Sequence, residues 1–182
     1  GKKGIKVIPC YYKKDYPEWS DRGDGPGAPV AIHQPNSPVI ATGKRDGSKI
    51  RLPNGNYLEE TASYFVMVET ATGGFTPALI TMKSTQLNVS KKWNSMMKTT
   101  QFPDGKGGFA TPPMFGVVYN LASTLQKNDK GSWYGWVVTM DRILGQEDKS
   151  LYLGAKDFGA NVSKGAVQTK SEVEEKSDST PY

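Results

Sequence analysis

"SYFVMVETATGGFTPALITMKSTQLNVSKKWNSMMK", residues 63–98, changes its hydrophobic period part-way along, and that change decides the fold. Its first half reads as two strands, "SYFVMVET" (63–70) and "GFTPALITMK" (74–83), around the hairpin signal "ATGG". The first strand is apolar on both faces and is expected to lie centrally. From Ser84, expected as an N-cap, to about Thr99 the period becomes helical. Val89, Trp93, Met96 and Met97 then share one arc of about 100°. Lys91 and Lys98 point the opposite way and Lys92 lies at the edge of that arc, so the aromatic and methionines are expected in the core and the lysines free for a partner.

Working outward, "IKVIPCYY" (5–12) reads as a strand, with Pro9 near an edge or at a bulge. "SDRGDGPGAP" (20–29) is a Gly-rich loop whose Arg22-Gly23-Asp24 tripeptide is short enough to recur by chance. "SPVIATGKRDGSKIRLPNGNYLEE" (37–60) reads as strand, turn, strand, turn. Beyond the helix, "PDGKGGFATPP" (103–113) is a loop. "MFGVVYNL" (114–121) and "SWYGWVVTMDRI" (132–143) are strands joined by the polar, turn-rich stretch 122–131. In the second of these, Trp133, Gly135 and Val137 alternate with Tyr134, Trp136 and Val138. Each face therefore carries a large aromatic, and one of them is expected to meet solvent or a ligand. Residues 147–163 are a second helix, with Leu151, Ala155, Phe158 and Val162 on one side. Residues 1–168 are read as a single β-rich domain and 169–182 as a flexible acidic tail. The expected fold class is mainly β with two helices: a small OB-like β-barrel with one internal helix, a C-terminal helix and long Gly/Pro-rich loops.

The 182 residues suffice for one domain with a modest core, since only 36% are hydrophobic while 20 are Gly and 12 Pro. The net charge is +5 and the pI about 9.1. Residues 170–182 hold two lysines against four acids, which leaves 21 basic and 14 acidic side chains before them. A basic body with an acidic tail suggests an anionic partner. Cys10 is the single cysteine, so no internal disulfide can form. No apolar run approaches the roughly 18–20 residues of a membrane span, and the start of the chain lacks a signal peptide's apolar centre. An intracellular protein is expected, even though "NVS" at 88–90 and 161–163 fits the glycosylation pattern.

Catalytic chemistry needs a constellation that the residues do not supply. His33 is the sole histidine and sits in the turn-rich "AIHQPNSP". One Cys and one His do not make a zinc site, and "DRGDGPG" lacks the remaining ligands of a calcium loop. Neither a phosphate-binding loop nor a dinucleotide fingerprint is present. Glu59 and Glu60 are adjacent on a strand and face opposite ways, and Glu174 and Glu175 lie in the tail. The expectation is a protein that is not an enzyme, with no metal and no cofactor.

Single-stranded nucleic acid asks instead for cations along phosphates and flat rings under bases. Three interleaved sets meet that need. They are Tyr11, Tyr12, Lys13, Lys14, Tyr16 and Trp19; Lys44, Arg45, Lys49 and Arg51; and Lys127, Lys130, Trp133, Tyr134 and Trp136, with Lys91 and Lys92 on the helix. "YYKKDYPEW" is either a stacking platform or a core strand with a solvated Lys-Lys turn. Three lysines and no arginine make the helix thin for reading a duplex, so single-strand binding fits better.

"FTPALITMKSTQLNVSKKWNSMM", "PPMFGVVYNL" and "NDKGSWYGWVV" together resemble a group of tailed-bacteriophage proteins of the replication module, regarded as single-stranded DNA-binding or OB-fold-like. The resemblance covers about residues 5–165. It implies a sequence-independent single-stranded DNA-binding protein that protects single strands during replication and recombination in the host cell cytoplasm, with no membrane association and oligomers allowed. It also implies a tail, here Glu172, Glu174, Glu175, Asp178 and Tyr182, that contacts polymerase, helicase or primase. The alternative expectation is a virion structural protein, a capsid decoration or tail component.

Overall fold

The computed structural model describes residues 4–21, 27–129 and 131–165. The Arg-Gly-Asp tripeptide, Lys130 and the tail with Glu172, Glu174, Glu175, Asp178 and Tyr182 lie outside the described residues.

The chain begins with a 15-residue strand, β1 (Ile5–Trp19). An insertion follows: β2 (Ala31–His33), helix α1 (Pro38–Thr42), β3 (Lys44–Asp46), β4 (Lys49–Arg51) and β5 (Tyr57–Glu59). Then come the hairpin β6 (Thr61–Glu69) and β7 (Phe75–Lys83), helix α2 (Leu87–Thr99), and the two-residue strands β8 (Phe102–Pro103) and β9 (Phe109–Ala110). A long hairpin, β10 (Val117–Asn128) and β11 (Gly131–Ile143), and helix α3 (Lys149–Ser163) complete the order.

Five long strands form the body in the order β7-β6-β1-β10-β11, every neighbouring pair antiparallel. β1, β6 and β7 are a meander, and the chain then crosses through α2 to lay β10 beside β1, which is a Greek key. The sheet curls into a half-barrel. Its two edges, β7 and β11, run the same way and are bridged just past the end of β7, where the backbone N–H of Trp136 donates to Gln86 Oε1 at 3.0 Å. Gly135 makes room for this contact, because a Cβ there would lie 2.7 Å from Gln86 Nε2.

Inside the curl, Val7, Tyr64, Val66, Met82, Tyr119 and Leu121 surround Trp93 of α2, which is fully buried. The indole stacks on Tyr64 at 4.3 Å between ring centres and meets Tyr119 edge-on at 5.6 Å. Met96 and Met97 pack on the same cluster, so the helical spacing read in the sequence is that of a core face. On the outer surface α3 covers Ile8, Cys10 and Val118 through Leu151, Ala155 and Phe158. Gly159 lets the helix sit against the carbonyl of Cys10, where any side chain would collide. Burial pushes the Cys10 thiol up to about 12, which removes the thiolate and with it the reactivity.

β1 is the pivot of the molecule. Ile5–Val7 pair with β10, Val7–Asp15 with β6, and the last residues with β2 and β5 of the insertion. The register shifts between Pro9 and Tyr11, so the proline marks a bulge inside a central strand. The insertion has a small core of its own, Ile50, Leu52 and Leu58 under Tyr16, Val39 and Ile40.

Four expectations change. The first strand expected in 37–60 is helix α1, with Pro38 in its opening turn where a missing N–H costs nothing. The helices therefore number three rather than two among the described residues. Ser84 is not a cap: it makes no capping hydrogen bond and takes φ +53°, the left-handed step that turns strand into helix. Residues 122–128 are not a loop but the continuation of β10, because the pairing with β11 runs on to Asn128 and Gly131. No helix among the described residues is long and apolar enough to cross a membrane.

Candidate nucleic-acid interface

The "YYKKDYPEW" segment is continuous strand without a Lys-Lys turn, and strand alternation divides it. Tyr12 faces inward against Tyr64, 5.0 Å between ring centres, while Tyr11 faces outward beside Phe65 at 6.2 Å. Tyr16 packs on the insertion core, and Trp19, three residues further on, is half-buried with its indole nitrogen enclosed. The four rings do not form one platform. Lys13 lies over Phe65 and pairs with Asp15 at 3.5 Å. Lys14 is held by Glu60 at 2.7 Å, a hydrogen bond that raises its pKa.

The insertion's cations are largely neutralised where they stand. Arg51 sits between Asp21 and Asp46, and both contacts raise its pKa further. Lys49 lies 3.7 Å from the ring centre of Tyr57, a cation–π contact. Arg45 reaches toward Glu60 at 4.0 Å, whereas Lys44 is exposed and makes no ion pair among the described residues.

At the opposite end stands the β10–β11 turn. Ile5 pairs with Leu121, and Asn128 lies seven residues further on, so the tip projects roughly 23 Å past that pair at about 3.3 Å per residue. Here Tyr134 is 74% exposed and directly opposite exposed Leu125. Trp136 packs on the core, and Trp133 is half-buried with its indole nitrogen enclosed. The side chain left outside is therefore the tyrosine. Lys127 is exposed without an ion pair among the described residues. The three sets read from the sequence thus fall at two ends of the half-barrel rather than in one groove.

Helix α2 supplies what the insertion does not. Lys91, Asn94 and Lys98 recur at three and four residues and form one stripe away from the Trp93 face. Lys91, Lys92 and Lys98 are exposed and unpaired among the described residues, and the helix contains no acid. The C-terminal end of this stripe opens on a cleft of about 410 Å³ lined by Tyr12, Asn94, Met97, Lys98, Thr111 and Met114. Asn94 is fixed there because the Tyr64 hydroxyl donates to its Oδ1 at 2.9 Å, while the same hydroxyl meets Ser90 Oγ at 2.7 Å.

A model of the Pam3 phage gp34-like protein family matches residues 1–168. The chain belongs to that family. It is a phage protein, and the matched span takes in every described strand and helix of the half-barrel, the insertion and α3. No curated protein and no solved structure matches it.

In this Pam3 phage gp34-like protein, two features escaped the sequence reading. Asn94 carries a signal that could have found it, the i, i+3, i+7 recurrence with Lys91 and Lys98, the two lysines already read as facing away from the core. Glu18 carried none. Its buried carboxylate accepts from His33 Nε2 at 2.7 Å, Asn54 Nδ2 at 3.0 Å and Asn56 Nδ2 at 2.6 Å, residues up to 38 positions away. Burial by itself would raise the Glu18 pKa, but the bonds from Asn56, His33 and Asn54 outweigh it and hold it below the ordinary value. Ser37 Oγ lies 3.5 Å from His33 Nδ1, which gives a serine, histidine, glutamate line. That distance is longer than the roughly 2.6–3.2 Å of an activated nucleophile, and through Glu18 the group ties together β1, β2 and the 54–56 turn. His33 is thus a part-buried anchor rather than a loop residue.

Proposed function

We propose that this phage protein binds single-stranded DNA without sequence preference and shields it during replication and recombination in the host cytoplasm. The observation that carries the reading is the unpaired lysine stripe of α2 running into a cleft walled by Tyr12, cations for phosphates beside a ring for a base. The scaffold supports it. A curled, mainly β half-barrel with a helix between the third and fourth long strands is compatible with a small OB-like barrel, a scaffold class that takes oligonucleotides. The protein acts by binding, with no catalytic step, metal or cofactor, and its tail, through Glu172, Glu174, Glu175, Asp178 and Tyr182, recruits polymerase, helicase or primase.

The test is fluorescence anisotropy of a labelled oligo-thymidine at about 50 mM and about 200 mM salt. Saturable binding that weakens steeply at the higher salt is expected, because lysines that neutralise phosphates release counterions. Absence of a complex at both salts sinks the reading.

One observation favours a virion structural protein instead. Leu125, Tyr134, Val137 and Met140 are exposed along the β10–β11 hairpin, the kind of apolar surface that neighbouring subunits cover. Mass spectrometry of purified particles decides: high copy number supports the virion role, and scarcity or absence supports replication.

A further inference from the structure

We infer that the cleft at the C-terminal end of α2 takes one unstacked nucleobase out of the bound strand; this rests on the single-strand reading and assigns it a site. The volume of about 410 Å³ lies in the range of sites for small organic ligands. Its walls are the Tyr12 ring and the thioethers of Met97 and Met114, a flat face and two polarisable, adaptable side chains. Such a surface suits a heteroaromatic ring and tolerates any of the four.

The polar groups fit the same occupant. The Tyr64 hydroxyl occupies the oxygen of Asn94, which leaves the Asn94 Nδ2 as a donor with no partner among the described residues. A base edge offers the oxygen or ring nitrogen that such a donor needs. Lys98 is exposed at the same cleft and unpaired, placed for the phosphate of the nucleotide whose base enters. Lys91 lies seven residues, about 10.5 Å of helix, further along the stripe for a neighbouring phosphate. From the other wall, Lys14 follows Tyr12 on the same face of β1, beside Glu60. A strand crossing from α2 toward the insertion therefore passes over the cleft mouth.

The experiment fills the cleft without touching a charge. Thr111 is exposed on the loop before β10 and lines the cleft, so Thr111→Trp places an indole in it at a position the core does not depend on. Oligo-thymidine and an abasic oligomer of equal length are titrated against wild type and variant. Wild type is expected to prefer oligo-thymidine by about tenfold or more, as one stacked base is worth. Thr111→Trp is expected to lose that preference while its salt dependence stays that of wild type, since the lysines are intact. If the variant keeps the full preference, the base does not enter here and the inference is overturned while single-strand binding stands. If wild type binds neither oligomer at low salt, both fall together. A urea titration establishes that the variant is folded, and Met97→Trp, which fills the cleft from the helix side, must reproduce the loss or the inference is likewise overturned.

Discussion

The insertion and helix α2 carry comparable positive charge, four basic residues in 44–51 against three in 87–99, and present it in opposite ways. In the insertion each described arginine finds a carboxylate: Arg51 between Asp21 and Asp46, Arg45 toward Glu60, with Lys14 and Lys83 pairing the same short acidic run Glu59–Glu60 from neighbouring strands. In α2 the lysines face solvent from a helix without an acid, and the opposite face is spent on Trp93 and the methionines. A count of charges therefore does not locate a binding surface. Charge that has been used to hold an irregular excursion onto the barrel is no longer offered to phosphate, whereas charge on a helix fixed by its apolar face is.

The largest effect is expected at Glu18. If polar contacts hold the insertion, Glu18→Ala strands the amides of Asn54 and Asn56 and the ring of His33, and costs about 3 kcal/mol. Urea unfolding should show that loss, and limited proteolysis should cut within 20–60 while α2 stays protected. Unchanged stability would mean the clamp is incidental. Acid should act the same way. The Glu18 carboxyl is held below its ordinary range, so its contribution is complete above the unfolded value near 4.3 and is lost as pH falls through the lower folded value. Protease sensitivity of the insertion should therefore rise below about pH 4 in wild type, and Glu18→Gln should flatten that profile.

Next in size is the stripe. Lys91→Ala with Lys98→Ala should weaken oligo-thymidine binding about tenfold at low salt and reduce the slope of log affinity against log salt by about 1.4, two phosphates at roughly 0.7 each. Stability should not move, because both side chains are exposed. An unaltered slope would take the lysines out of the interface and return attention to the insertion.

Much of this was legible from periodicity. The change from period two to helical spacing at Ser84, the two-faced apolar strand 63–70 and the stripe Leu151, Ala155, Phe158, Val162 each report a local geometry with one buried side, and each element formed where it was read. What was not legible depended on partners distant in sequence. Nothing local tells Tyr12 from Tyr11, since the two differ only in which side of β1 the curl makes interior. The β10–β11 extension was hidden because "STLQKN" is polar, and it is strand only through pairing with "SWYGWV". The ion pairs were hidden for the same reason: Arg51 and Lys98 look alike as cations, and the carboxylates that separate them, Asp21 and Asp46, become neighbours of Arg51 only after β4 pairs with β3 and the chain folds back on β1.

The smallest effect is the sharpest test of the contrast. Arg51→Ala removes a full positive charge from one of the basic sets that the sequence offers for phosphate contact. Its guanidinium already faces Asp21 and Asp46 and overlies Tyr57 at 5.6 Å. Removing it exposes two carboxylates, so at low salt the local field changes sign, yet at about 150 mM that field is screened beyond roughly 8 Å. Affinity for oligo-thymidine should then stay within about twofold of wild type at that salt, as expected for an exposed pair that does not touch the strand. If Arg51→Ala instead lowers the salt slope by about 0.7, one phosphate's worth, the arginine exchanges its acids for DNA on binding. The insertion would then be a surface that opens to the strand, and the division between a neutralised region and an available one would describe only the protein without its ligand.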